Sequence, residues 1–418
     1  MGADAYAWTL AAIAALGAML WRYLRRRVIG DVEMLLGGFV VYIAGPYIVY
    51  AAKGFLEMPG IEVWRELYQA AAAYSVPMLV FTAVLALAYT AGRTLCRSRV
   101  GAALDRPIPR RTLFVLSLGV WAFWLWLVAS KPSLFFAGYS VDYDVELLGQ
   151  LGTINLMVVI FLLNCRQFGR KGLLYRLLAL LFVANSVALL SLGGRMYVLT
   201  AVLALLLQAL ARRPSLDFRL KTIAGMAVLL AALVAVGVWR IGAEQEASFF
   251  AYIAAAEGVF TSMSLGSFLG YNGMPAVAFP YNFLGSVVNF VPSLLLGDKT
   301  KIVPSIVDAG FYFEAPLGAT HLYVALLGNF GWVLAPLFAV ALGWLMAAVR
   351  RVRRGGWWLY FYLCALLPFM FFRDGFSIFN KAAVFNGVIV VAVVFFLDRL
   401  GWGRFRIRPR RPLRQAGA

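Results

Sequence analysis

The chain has 418 residues, 63% of them hydrophobic and only 14% charged, with a mean hydropathy of +0.82. An ordinary soluble domain is about one-quarter charged, so these values exclude one. The formal charge of +19 comes from 38 Lys and Arg against 19 Asp and Glu, and its distribution excludes a nucleic-acid-binding surface as well.

A helical span of a bilayer needs about 20 predominantly apolar residues. Spans are predicted at 4–21, 31–52, 67–92, 112–130, 147–165, 174–192, 195–211, 221–240, 318–349, 357–372 and 382–400, eleven in all. The first lacks a basic segment before it and runs into Arg22–Arg27, so it reads as a helix with its N-terminus outside rather than as a cleavable signal. Basic clusters then fall in every second gap: Arg22–Arg27, Arg93–Arg111, Arg166–Arg176, Arg212–Lys221, Arg350–Arg354 and Arg399–Arg414, together 29 of the 38 cations. Short Lys- and Arg-rich loops stay cytoplasmic. The predicted protein is therefore one integral membrane domain over 1–418, all-α, with its C-terminus inside, and the basic face is explained by orientation and anionic lipid. Cys96, Cys165 and Cys364 form no metal-ligand spacing or disulfide framework.

Nine cations remain for the outer side: Lys53, Arg65, Lys131, Arg195, Arg240, Lys299, Lys301, Arg373 and Lys381. Lys53, Arg65 and Lys131 have acidic neighbours in ordinary connections. The long connection is 241–317, rich in aromatics, Gly and Pro, with an amphipathic stretch at Phe249–Leu269. It is too apolar for a disordered linker, and short helices folded over the outer mouth of the bundle are expected there. No internal repeat is visible, which weakens an inverted-repeat transporter reading.

In Ser191-Leu192-Gly193-Gly194-Arg195 two glycines bring backbone close to a bound group, and the next helix starts with its positive dipole end. Gly194 and Arg195 there make a phosphate cradle; the bland reading is a Gly-rich hairpin with Arg195 snorkelling to lipid. Arg240 closes the eighth span beside Trp239, as a site residue or an interfacial anchor. Arg373-Asp374 ends the tenth span and Lys381 opens the eleventh. Arg373 is either a paired turn residue or a second bidentate donor suited to a diphosphate. His321, the only histidine, can accept a proton from a sugar hydroxyl or be an interfacial polar residue. The outer carboxylates, Glu257 among them, form no recognisable pair. No cofactor or metal motif is present.

These segments resemble the O-antigen and oligosaccharide repeat-unit polymerases, the Wzy family. The likeness rests on Ser191–Arg195 between two helices, the large outer loop opened by Arg240, Thr320-His321-Leu322-Tyr323 leading through Asn329-Phe330-Gly331 into a long helix, and the Arg373 turn. His321-Leu322-Tyr323 also looks like the related O-antigen ligases. The resemblance implies a GT-C-like, metal-independent glycosyltransferase of the bacterial inner membrane, working on undecaprenyl-diphosphate-linked oligosaccharides at the periplasmic face. Arg195, Arg240 and Arg373 would bind the donor diphosphate, helped by Lys299, Lys301 or Lys381. His321 or Glu257 would orient or deprotonate the acceptor hydroxyl. A flippase and a chain-length regulator are the implied partners. A ligase or other lipid-linked glycan transferase is the alternative, and a transporter or flippase the reading from a different class.

Overall fold

In lipid a backbone must satisfy its own N–H and C=O groups, and among the described residues every regular element is a helix. The computed structural model describes residues 3–53, 65–97, 107–136, 145–170, 172–212, 248–290, 305–315, 318–352 and 356–397, with a few isolated positions besides. Its α-helices are α1 (Ala3–Arg26), α2 (Asp31–Gly38), α3 (Gly45–Lys53), α4 (Arg65–Ala73), α5 (Ser75–Leu95), α6 (Arg110–Ser130), α7 (Val145–Gln167), α8 (Leu173–Ser191), α9 (Arg195–Arg212), α10 (Ser248–Asn272), α11 (Tyr281–Gly285), α12 (Leu322–Arg350), α13 (Trp357–Leu366), α14 (Gly375–Asn380) and α15 (Val391–Leu397). Nine helical stretches among the described residues are long and apolar enough to cross a membrane, and a tenth, Trp357–Phe371, is shorter. They answer to ten of the eleven predicted spans. The predicted span 221–240 lies almost entirely outside the described residues, and Arg240, Lys299 and Lys301 wholly so.

Four departures from the predicted spans have a proline or a glycine beside them. The stretch 67–92 is two helices, because Pro77 has no N–H and its ring crowds the Ala73 carbonyl, so the chain turns at Tyr74. The second span is α2 and α3 joined by the π-helical turn Phe39–Ala44 just before Pro46, and α13 likewise passes into the π-helical turn Leu367–Phe371 around Pro368. The fourth is α12, interrupted at Gly331, whose φ of 67° suits glycine. The N–H groups freed there are not lost: Trp332 and Val333 donate to the carbonyls of Pro275 and Ala276 at 3.0 and 3.1 Å. The amphipathic stretch predicted at Phe249–Leu269 belongs to α10, a 25-residue helix rather than a short one.

One apolar core runs through the bundle. α12 lies along α5 and α10 along α4, while α7 packs against α8 and α9. The α5–α12 contact is a backbone approach through two glycines: a Cβ on Gly92 would stand 2.0 Å from the Val340 carbonyl oxygen, and one on Gly343 2.2 Å from that of Tyr89. Small residues at such crossings replace the hydrophobic driving force that lipid removes. Buried amides add polar ties: Trp124 Nε1 donates to Asn185 Oδ1 (3.0 Å), Asn185 Nδ2 to the Leu151 carbonyl (2.9 Å), and Asn155 Nδ2 to the Tyr197 carbonyl (3.3 Å). They join α6, α7, α8 and α9. The opposite faces are apolar too: α1 exposes Leu10, Ile13, Leu20 and Leu24, and α6 exposes Phe123, Leu125 and Trp126. A helix apolar on both faces fits a lipid-facing position.

One end of the bundle is held by acids that the sequence pattern does not single out. Asp31, fully buried, accepts from the hydroxyls of Tyr89 and Tyr360 and pairs with Arg93 (3.2 Å) and Arg350 (3.9 Å). Beside it Glu33 pairs with Arg22 Nε at 2.7 Å and accepts from the Gly30 N–H. All of these charges come from loops and helix ends predicted to share the cytoplasmic side. Asp31 and Glu33 thus neutralise part of the charge of these arginines. α12 carries the chain from this end to the other.

Candidate functional site

α8 stops because Leu192 is followed by Gly193 at φ 87°, a left-handed residue that lets the chain turn back on itself. The Gly194 N–H donates to the Leu189 carbonyl at 2.6 Å and the Gly193 N–H to the Leu190 carbonyl at 3.2 Å, the paired bonds of a glycine helix stop. Here the prediction for Gly194 needs correcting. Its N–H is committed within the turn and is no open donor for a phosphate; the glycine is there because a Cβ would stand 2.8 Å from Leu148 and Leu189 side-chain carbons. What the turn delivers is Arg195, the first residue of α9.

Arg195 NH2 donates to Glu257 Oε1 at 2.6 Å, and Arg373 Nε donates to Glu257 Oε2. Arg373 NH1 donates to Asp374 Oδ1 at 2.8 Å. Three distant segments are therefore fastened at one point: the start of α9, the middle of α10, and the turn after the π-helical stretch Leu367–Phe371. Glu257 is set by the seat of α10. A Cβ at Gly266 would stand 1.7 Å from the Leu67 carbonyl oxygen, and one at Gly258 2.6 Å from that of Val41, so α10 can lie this close to α4 and to the π turn only with glycine. The Arg373 carbonyl accepts from the Thr320 N–H at 2.8 Å, and Thr320 and Asp374 form a single bridge, which ties this turn to the start of α12.

The cluster is partly open: the side chains of Arg195, Arg373 and Glu257 keep 32%, 21% and 17% of their surface. Burial would raise the Glu257 carboxyl, but the Arg373 and Arg195 guanidinia outweigh it and hold it below the usual glutamate range. Burial pushes the Asp374 carboxyl up, against the pull of Arg373. The phenol of Tyr42 lies within the field of Glu257, Arg373, Asp374 and Arg195, with its ring stacked on Phe372. Two arginines and two carboxylates sum to no net charge. Two guanidinia from separate elements meet on one carboxylate, each giving it a charge-assisted hydrogen bond.

His321 follows Thr320, which bonds to the Arg373 turn, but serves a different task. It is 1% exposed and caps α12: its Nδ1 accepts from the Tyr323 N–H at 3.0 Å, its ring donates to the Tyr42 carbonyl, and its own N–H donates to Ser264 Oγ at 2.9 Å. Pro46, four residues beyond Tyr42, has no N–H to offer that carbonyl, so the imidazole supplies one. With both ring nitrogens engaged by backbone, His321 is placed as a cap, and Glu257 is left as the carboxylate at the arginines. Lys381 opens the π-helical stretch Lys381–Val390, one short helix beyond Arg373. Tyr42 and Ser264 carry no sequence signal of their own; a tyrosine four residues before a proline within a span was the available hint. No family model, curated protein or solved structure matches this chain.

Proposed function

We propose that the protein is a polysaccharide polymerase of the O-antigen type, a metal-independent glycosyltransferase that joins undecaprenyl-diphosphate-linked repeat units at the periplasmic face of the bacterial inner membrane. The observation that carries the reading is the convergence of Arg195 and Arg373 on Glu257, at the bundle end opposite Asp31 and its basic partners. In this reading the two guanidinia hold the donor's diphosphate where its leaving oxygen gains charge, a role fixed cations fill without a metal. Glu257 takes the proton of the acceptor hydroxyl, and Asp374 keeps Arg373 in place. The N-terminus is then periplasmic, the C-terminus cytoplasmic, and the fold a GT-C-like bundle. A flippase and a chain-length regulator are its expected companions.

Purified protein given undecaprenyl-diphosphate-linked repeat units as the only substrate tests this. A polymerase produces a ladder of lengthening chains. A ligase makes nothing until a second acceptor is added, and that outcome moves the assignment to ligase. Arg195→Ala is expected to abolish the ladder while leaving single lipid-linked units; chains of normal length and amount from a folded Arg195→Ala variant refute the diphosphate role.

A further inference from the structure

Glu257 cannot serve as a base while it sits as the structure shows it. Both carboxylate oxygens accept charge-assisted hydrogen bonds, one from each arginine, and such bonds favour the charged form and lower its appetite for a proton. The arginines are equally engaged. Arg195, Arg373, Glu257 and Asp374 already balance, so within this cluster an incoming anion finds no uncompensated positive charge. Donor binding and proton acceptance both require the same two contacts to break.

We propose that Glu257 is a substrate-released base: its carboxylate holds the two guanidinia in the empty site, and the donor's diphosphate displaces it from both. This rests on the polymerase reading and adds an order of events to it. Arg373 keeps Asp374 on NH1 throughout, so one partner stays to orient the guanidinium while Nε is handed over. Freed from its two cations and beside a new dianion, the Glu257 carboxylate becomes a stronger base. The Tyr42 phenol, already in the field of the cluster, and Asp374 are the other titratable groups facing it. The acceptor hydroxyl then gives its proton to Glu257 as its oxygen bonds to the donor's anomeric carbon. The bond from that carbon to the diphosphate oxygen breaks with its electron pair passing to the diphosphate, which Arg195 and Arg373 hold. When the diphosphate leaves, Glu257 loses the proton to water and returns to the arginines. The base is active only with a donor present.

Calorimetric titration of the detergent-solubilised full chain with undecaprenyl diphosphate, in two buffers of different ionisation heat, measures affinity and proton uptake together. With Glu257→Gln the competing charge is gone and one of the two acceptor oxygens with it, so binding is expected to tighten about tenfold or more while the ladder assay falls to background, since one charged hydrogen bond that need not be displaced is worth a factor of that order. Wild type takes up protons on binding in excess of Glu257→Gln. Glu257→Asp keeps the charge but is too short to span both arginines, and it is expected to bind more tightly than wild type too, so the test survives poor folding of the Gln variant. Equal or weaker binding in the folded variants, with no difference in proton uptake, overturns the displacement. The reading beneath it fails separately: there, Arg195→Ala binds undecaprenyl diphosphate as well as wild type does.

Discussion

Replacing Asp31 with alanine removes the acceptor at the centre of the inner-end network, and the structure gives the size of the effect. The buried hydroxyls of Tyr89 and Tyr360 each lose the carboxylate they donate to, at about 1–3 kcal/mol for a buried group left unsatisfied. The Tyr360 loss falls toward the lower end, because its oxygen still accepts from the residue-31 N–H at 3.1 Å. Arg93 and Arg350 retain 16% and 27% of their side-chain surface, so both can turn to water or lipid phosphate and add only about 0–1 kcal/mol each. The total is about 2–6 kcal/mol, a range that brackets the cost expected when one partner of a buried ionic group is removed. Asp31→Asn keeps one acceptor oxygen and should lose about half as much. Thermal unfolding of the full chain in detergent reads this as a descending series: wild type, Asp31→Asn, Asp31→Ala. In a double-mutant cycle Tyr360→Phe should lose less stability in the Asp31→Ala background than in wild type, since only the bond from the residue-31 N–H is left to break. An Asp31→Ala protein that unfolds with wild type, or strict additivity with Tyr360→Phe, refutes the network as a stabilising unit.

Gly343→Val forces a side chain into the Tyr89 carbonyl and should cost about 1–3 kcal/mol or more through overpacking of α5 on α12, read as a lower unfolding temperature; an unchanged temperature contradicts the backbone approach. Gly331→Ala meets both a left-handed φ and the Ala276 carbonyl oxygen 2.4 Å from the new Cβ, so hydrogen exchange at the amides of Trp332 and Val333 should accelerate, and unaltered protection would count against it. Because the folded-state carboxyl of Glu257 is depressed, its contribution to stability is complete at neutral pH, above the ordinary glutamate range, and is lost as pH falls below that range through the depressed value. Unfolding temperature measured against pH should therefore drop on the acid side in wild type, and drop less in Glu257→Gln; parallel curves would remove the ion pairs from the account. His321→Ala forfeits the cap on Tyr323, at about 1 kcal/mol, whereas His321→Asn can restore an acceptor; a folded Asn variant with no polymerising activity would return His321 to the chemistry.

The arginines were legible, and Glu257 stood among the candidate carboxylates, but their pairing was not legible. Arg195 and Arg373 stand out in sequence because an outer cation at a span end is not required for orientation. Glu257 is one of many carboxylates assigned to the outer side, and it stands 62 positions along the chain from Arg195 and 116 from Arg373. No periodicity expresses a pairing of that range. His321 was legible as a residue with protonation chemistry, but its burial and its backbone partners depend on Pro46 and Ser264, in other elements. Asp31 and Glu33 offered a faint signal as acids on the basic side.

Sequence alone determined that the chain is an all-helical membrane protein, where most of its spans run, and which charges share a side, because lipid demands internally bonded backbone and orientation is written in Lys and Arg placement. The tertiary structure alone decided which of those charges meet. At Gly92, Gly266 and Gly343 helices from distant parts of the chain come close enough for backbone to touch backbone. That seating brings one carboxylate between two arginines at one end of the bundle and buries Asp31 among tyrosines and arginines at the other. Contact between residues far apart in the chain is a property of packing, and packing is a property of the whole fold.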